Sequence, residues 1–435
     1  MRSLWIVPFG LLLATSVGFA QEQPLELAKG AKPIPATRQE MKEALDALKN
    51  VTPRLPLPPD EEGRKGVNNG RMRSYYVPAE IRGGGIGGFG KGKDQKDGDQ
   101  IDYTFNTKLF WIVCRVNNCQ YCLGHQESKL ASSGVPEETI AALDFDWSEF
   151  SEKERLAFGL ARKLTFQPHL VGRADIEPLK KHYTDLQILN MISSIAGFNS
   201  MNRWTDGLAI PQEKSRDFLT PVAAKYKDKR SQVALLTDAK GCLPVSLNRP
   251  APATRAQIDK ALADCRTRTS WLPLASEEEA RKLLPEEAAK GPLPNWVRLL
   301  AVMKSGQGRV KGQYALESKG GLEAKMRAQI NWVAAYHDRA WYALGQAEKR
   351  LRALGESDTQ IALLAGPWAE FSDKERVAFR MVRVSTVAPM NVTDSDFVVL
   401  RKLYSDPQVA ELVHRICEAA YINRITEAVE LPLEK

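Results

Sequence analysis

Two stretches of this chain, 217 residues apart, read alike: Pro35-Ala36-Thr37-Arg38 and Pro252-Ala253-Thr254-Arg255. At the same spacing Leu55-Pro56-Leu57 meets Leu272-Pro273-Leu274, and Arg64-Lys65 meets Arg281-Lys282. Further on the spacing becomes 221: Trp111 meets Trp332, Leu123-Gly124 meets Leu344-Gly345, and Phe150–Phe158 meets Phe371–Phe379 at seven of nine positions. Asp175, Tyr183, Asp185, Gln187, Asn202 and Arg203 likewise meet Asp396, Tyr404, Asp406, Gln408, Asn423 and Arg424. No other feature limits the fold as much, because a chain written twice builds one unit twice and packs the copies together. The expected units run over 35–215 and 252–435, with a connector at 216–251 holding Pro244 and Pro250. The change of spacing puts the insertions and deletions between about 66 and 108.

Both units read as helical. Ser151-x-x-Glu154 and Ser372-x-x-Glu375 are capping boxes, the first opening the apolar stripe Leu156, Leu160, Leu164. Leu186, Leu189, Ile192 and Ala196 keep helical spacing into Asn202-Arg203-Trp204, and Gly134 followed by Pro136 predicts a helix stop and restart. No stretch sustains the alternation a strand needs, so an all-α fold of two tandem helical bundles is expected. The Gly83–Gly92 run has no strand before it and no Gly-Lys-Ser/Thr after it, so it reads as a surface loop rather than a phosphate cradle.

Arg2 and the apolar run Leu4–Ala20, with small residues Gly18 and Ala20 before Gln21, predict a signal peptide over residues 1–20 and export to a periplasm or beyond. No second apolar span follows, so no stable membrane span is expected after signal removal. The net charge of +8 is spread thinly over 435 residues, without a Lys/Arg block interleaved with aromatics, which argues against nucleic acid as a partner. Cys114, Cys119, Cys122, Cys242, Cys265 and Cys417 thus enter a compartment where disulfides persist.

The chemistry concentrates in Asn118-Cys119-Gln120-Tyr121-Cys122-Leu123-Gly124-His125. On a helix Cys119, Cys122 and His125 fall along one side, and a Cys-x-x-Cys pair places an attacking and a resolving thiol together. Leu123 stands where a c-type haem attachment site needs His. Asn117-Asn118 reads as an N-cap that places Cys119 in the first turn, where the helix dipole lowers a thiol pKa. His125 is the candidate proton carrier. From the residues alone three readings stay open: a redox dithiol, a structural disulfide, and a metal site that lacks a fourth ligand. The dithiol reading needs neither metal nor organic cofactor.

The Cys-x-Tyr-Cys core, the Trp-bearing helix before it and the sequel Gly134-Val135-Pro136-Glu137-Glu138 resemble the carboxymuconolactone decarboxylase / alkylhydroperoxidase-D-like superfamily. The resemblance covers about 100 residues of each unit, from near 105 and near 326, and Gly291–Trp296 resembles the family's entry segment. It implies an all-α bundle, usually a homo-oligomer. It also implies Cys119 and Cys122 as the redox pair of a thiol–disulfide oxidoreductase or peroxidase, taking a peroxide or small disulfide and an external dithiol reductant. Two positions depart from the family pattern: Gln126 stands where the family's His falls, and Thr107 where its relay Glu falls. Those departures favour weak peroxidase activity, or a non-enzymatic binding or assembly protein on the same scaffold. A lactone decarboxylase is disfavoured by the paired thiols.

Opposite Cys119, Cys122 and His125 the second unit has Ala340, Ala343 and Gln346, so one dithiol per chain is expected and the second unit is degenerate. Cys242 and Cys265, facing Leu25 and Leu48, suggest a disulfide closing the connector, stabilising by about 3 kcal/mol. Cys114 and Cys417 read as buried packing residues, Glu127 as a solvent-facing carboxylate, and His337 as structural. Asn199, Asn202, Arg203 and Trp204 are placed to line a pocket over the thiols or to pack the bundle.

Overall fold

A computed structural model describes residues 27–59, 66–82, 101–234 and 250–434. The signal segment, the Gly83–Gly92 run and Cys242, and with Cys242 the suggested disulfide, lie outside the described residues. Cys265 is buried, its Sγ 3.6 Å from the Leu431 carbonyl.

The fold is all-α, with no strand among the described residues and one isolated bridge between Thr37 and Arg230. The principal helices of the first half are α1 (Arg38–Ala47), α2 (Asn68–Tyr76), α3 (Tyr103–Asn117), α4 (Gln120–Ser132), α5 (Glu137–Phe145), α6 (Glu152–Phe166) and α7 (Asp185–Gly207). Those of the second are α8 (Arg255–Thr267), α9 (Asn295–Ala301), α10 (Lys304–Lys319), α11 (Ala324–Asp338), α12 (Trp341–Ala353), α13 (Asp358–Leu363), α14 (Asp373–Val387) and α15 (Asp406–Ala428). The bounds of α3, α4, α6 and α7 return 221 residues later as those of α11, α12, α14 and α15.

Local chemistry explains why the bounds coincide. Thr184 with Gln187 caps α7 and Ser405 with Gln408 caps α15, each glutamine side chain reaching back to the N-cap backbone N–H. The expected boxes at Ser151 and Ser372 open α6 and α14. After α4, Gly134 takes φ 79°, and Val135 donates to the Leu130 carbonyl at 3.1 Å. Gly355 with φ 90° and Glu356 with Leu351 repeat this after α12. Such a turn requires the left-handed region that glycine enters without cost, and it hands the chain to Pro136 and α5 as the sequence predicts.

Tryptophans anchor both halves at equivalent depths. Trp111 and Trp332 are wholly buried; Trp147 and Trp368 each donate Nε1–H to the carbonyl four residues back, at 2.8 and 2.7 Å. The long helices α7 and α15 pack against each other between the halves. Two reciprocal bonds tie the halves there. Arg203 of α7 donates to the Thr386 carbonyl at 3.2 Å, and Arg424 of α15 donates to the Thr165 carbonyl at 3.0 Å. Both donors and both acceptors are 221 residues apart, so the contact obeys a pseudo-twofold relation like that of two identical subunits.

The described part of the connector, 216–234, is packed against the first half: Phe218 and Tyr226 are buried, and Ser231 bonds Asp144. No helix among the described residues is long and apolar enough to cross a membrane.

Candidate functional site

The site forms at the corner between α3 and α4. Asn118 ends α3 in the left-handed conformation (φ 53°), its N–H on the Arg115 carbonyl and its side-chain amide 3.2 Å from the Pro33 carbonyl. Asparagine is one of the few residues that takes this backbone readily. The corner makes Cys119 itself the N-cap of α4, with its N–H 2.9 Å from the Cys114 carbonyl. Asn117-Asn118 is therefore not the N-cap that the sequence suggests. Asn117 instead turns inward and donates to Asn199 and Asn202 of α7, both at 3.0 Å.

Cys119 and Cys122 approach to 3.6 Å and form no disulfide. The Thr205 hydroxyl of α7 touches both sulfurs, at 3.2 and 3.1 Å, while also lying 3.1 Å from the Met201 carbonyl. A hydroxyl has one hydrogen and two lone pairs. With that hydrogen on Met201, Thr205 accepts from the two thiols and favours their protonated forms; turned toward a sulfur, it would support a thiolate. Cys119 is 0% and Cys122 3% exposed. Burial pushes both thiols well above the ordinary range. The expected acidification of Cys119 by the helix dipole does not survive this desolvation.

A third thiol belongs to the group. The Cys114 sulfur accepts from Asn202 Nδ2 at 3.4 Å, and Cys122 is among the groups that act on its ionisation. Burial raises its pKa too. Cys114 is thus more than the packing residue expected. The signal was in the repeat: Ala335 stands opposite Cys114, so all three thiols become alanine together in the second half. Thr205 left no such trace, because Thr426 stands opposite it where no sulfur is present.

His125 is directed elsewhere. Its Nδ1 lies 2.9 Å from an Arg216 guanidinium nitrogen. Arginine only donates, so Nδ1 carries the lone pair and Nε2 the hydrogen of a neutral ring. That Nε2 is 3.0 Å from Glu213 Oε2 but outside hydrogen-bonding geometry. Burial holds the imidazole below its usual range, with Glu213 opposing. Burial also resists ionisation of Glu213, but His125, the Tyr121 hydroxyl and the Asn68 N–H hold it well below the carboxylate range. Tyr121 donates to Glu213 at 2.8 Å, and Tyr342 to Glu434 at 2.8 Å in the second half, where Gln346 also reaches Glu434. The clasp therefore recurs where the paired thiols are replaced by alanines. It fastens the segment after the long helix onto α4 or α12, and among the described residues no hydrogen bond joins His125 to a sulfur.

The relay positions are likewise occupied by local bonds. Thr107 donates to the Tyr103 carbonyl at 2.8 Å and Gln126 to the Cys122 carbonyl at 3.1 Å. Glu127 is not the solvent-facing carboxylate expected. It is buried between Arg38, whose guanidinium meets it at 2.5 and 2.8 Å, and the Trp111 N–H at 2.5 Å. Burial opposes its ionisation, yet Arg38 and Trp111 keep the carboxyl below the usual range. Glu348 repeats the pattern with Arg255 at 2.7 Å and Trp332 at 3.4 Å. A carboxylate held by an arginine and a tryptophan at matching positions in both halves ties helices together.

Asn199 donates to Thr165 and Asn202 to Cys114, so these two sit behind the thiols, whereas Arg203 crosses to the other half and Trp204 packs against His414. Among the described residues no group of three or more His, Cys, Asp or Glu is placed to hold a metal ion.

No protein-family model matches this chain, and no curated protein matches it as a relative.

Proposed function

We propose that the chain is an exported thiol–disulfide oxidoreductase on a duplicated alkylhydroperoxidase-D-like scaffold, with Cys119 and Cys122 as its single dithiol. The observation that carries this reading is the approach of the two sulfurs to 3.6 Å over one hydroxyl, in one half only. One thiolate attacks a small disulfide, releasing one thiol; the second cysteine displaces the other, leaving a Cys119–Cys122 disulfide and two small thiols. An external dithiol then returns two electrons and two protons. With a peroxide the first product is a sulfenic acid plus an alcohol, and closure of the disulfide releases water. Burial limits the thiolate fraction, so exchange is slow and peroxide turnover slower.

Burial of both sulfurs, with His125 held in its clasp, specifically favours a second reading: a non-enzymatic binding or assembly protein with an inert thiol pair. Titration of the mature protein against dithiothreitol buffers separates them. The oxidoreductase reading expects a potential above about −300 mV, and an inert bridge one below it. Mass mapping after oxidation should find Cys119–Cys122, and in Cys119→Ser a Cys114–Cys122 bridge in its place. Unchanged disulfide reduction by both Cys119→Ser and Cys122→Ser would remove the oxidoreductase reading.

A further inference from the structure

The second half has an open cleft lined by small side chains at two positions where the first half carries buried phenylalanines. Its volume is about 390 Å³, within the range of about 300–1,000 Å³ common for small-molecule sites. It lies among α9, α10, α11, α12 and α15. Three of its lining positions have first-half counterparts that show why it is open. Ala343 replaces Cys122; Asn331 and Ala419 replace Phe110 and Phe198. In the first half those two phenylalanine rings stack at 4.0 Å, 7° apart, and both are buried. At these positions the described residues of the first half are packed with rings beside the thiols, and those of the second half leave space.

The lining defines the ligand. Trp296 and Tyr314 present a stacked aromatic wall, ring centroids 6.0 Å apart, and Ile422, Ala419 and Ala343 continue the apolar surface. Most of the polar groups are already neutralised. Glu418 is paired with Arg309 at 3.0 Å, Arg415 with Glu317 at 2.7 Å, and the Tyr342 hydroxyl with Glu434. Arg350, exposed at the rim, makes no ion pair among the described residues. Exposed Asn331 stands at the same rim, with no side-chain hydrogen bond among the described residues.

We infer that this cleft binds a small aromatic monocarboxylate, its rings between the Trp296–Tyr314 wall and Ala419, its carboxylate on Arg350. A guanidinium meets a carboxylate through two parallel hydrogen bonds and so discriminates against a neutral isostere. The site is independent of the dithiol: the cysteines are absent from its lining. It gives the half that lost its thiols a task of its own.

Calorimetry on the full mature chain with 2-naphthoate and the uncharged 2-naphthamide tests this. Saturable binding of one naphthoate is expected, with the amide about tenfold weaker, and Arg350→Gln should bring the two within about twofold of each other. Ala419→Phe and Asn331→Phe, which restore the first-half residues, should each weaken naphthoate binding about tenfold or more at an unchanged melting temperature. Asn331 lies at the exposed rim, so its variant tests the site even should Ala419→Phe fail to fold. Cys119→Ser should bind as the parent does. Absence of saturable binding, a charge preference that survives Arg350→Gln, or full affinity in a folded Phe variant would each overturn the assignment.

Discussion

Three sulfurs and one hydroxyl set what the site can do, and solvent exclusion sets how fast. Thiol alkylation goes through the thiolate, so its rate follows the fraction ionised. An ordinary cysteine levels off above a pKa of about 8.5. Cys119 and Cys122 are pushed above that by burial, so folded protein should alkylate slowly at neutral pH and still accelerate beyond pH 9. Maleimide labelling followed by peptide mapping reads this directly; a plateau below pH 8 would mean the sulfurs are activated in a way this arrangement does not provide. The convergence of Cys119 and Cys122 was legible from their spacing, because a helical turn fixes it. The burial was not, since it depends on Thr205 of α7 and on the tail segment around Gln212, both about 80 to 90 positions away in the chain. The same holds for His125, whose partners Glu213 and Arg216 come from that tail.

At the scale of elements, helix ends were the most legible feature, because capping boxes and glycine stops act within a few residues. The packing of short helices was less so. Gly306, near the start of α10, is a case: a Cβ there would lie 2.2 Å from the Leu300 carbonyl oxygen at the end of α9. A main-chain oxygen cannot swing away as a side-chain tip can. Helix propensity alone predicts that Gly306→Ala stabilises by up to about 1 kcal/mol. The close approach predicts the opposite sign, a loss of about 1–3 kcal/mol, measurable by urea denaturation, together with a change in the α9–α10 wall of the cleft. A more stable Gly306→Ala protein would show that the two helices do not meet this closely. Gly124 and Gly345, the conspicuous Leu-Gly repeat, are also crowded, the first by the side chains of Gln212 and Phe218 and the second by that of Leu433 rather than by main chain.

For the whole molecule, the bounds of four helices recur at the 221-residue spacing read from the sequence, while the way α7 and α15 meet needed coordinates. The two junction arginines are alike in position and unlike in what stands behind them. Arg424 also binds Asp338, wholly buried, at 3.2 Å, whereas Arg203 binds the neutral Asn199. Removing Arg424 takes the guanidinium from a buried carboxylate and leaves it the Asn423 amide, so Arg424→Met should cost about 3–5 kcal/mol. Arg203→Met removes its bonds to the Thr386 and Asn199 carbonyls and to the Asn199 side-chain amide and should cost about 1–3 kcal/mol. Chemical denaturation of the two variants gives the order, and Asp338→Asn should narrow the gap by removing the charge. Equal losses would argue against a charged Asp338.

Each of these arginines takes hold of a peptide oxygen in the opposite half rather than of a side chain. A peptide oxygen is present whatever amino acid the codon specifies. At these two points the seam therefore places little restraint on the identity of the residues it grips, whereas Ser193 with Tyr421 and Arg54 with Asp394 join the halves through their side chains.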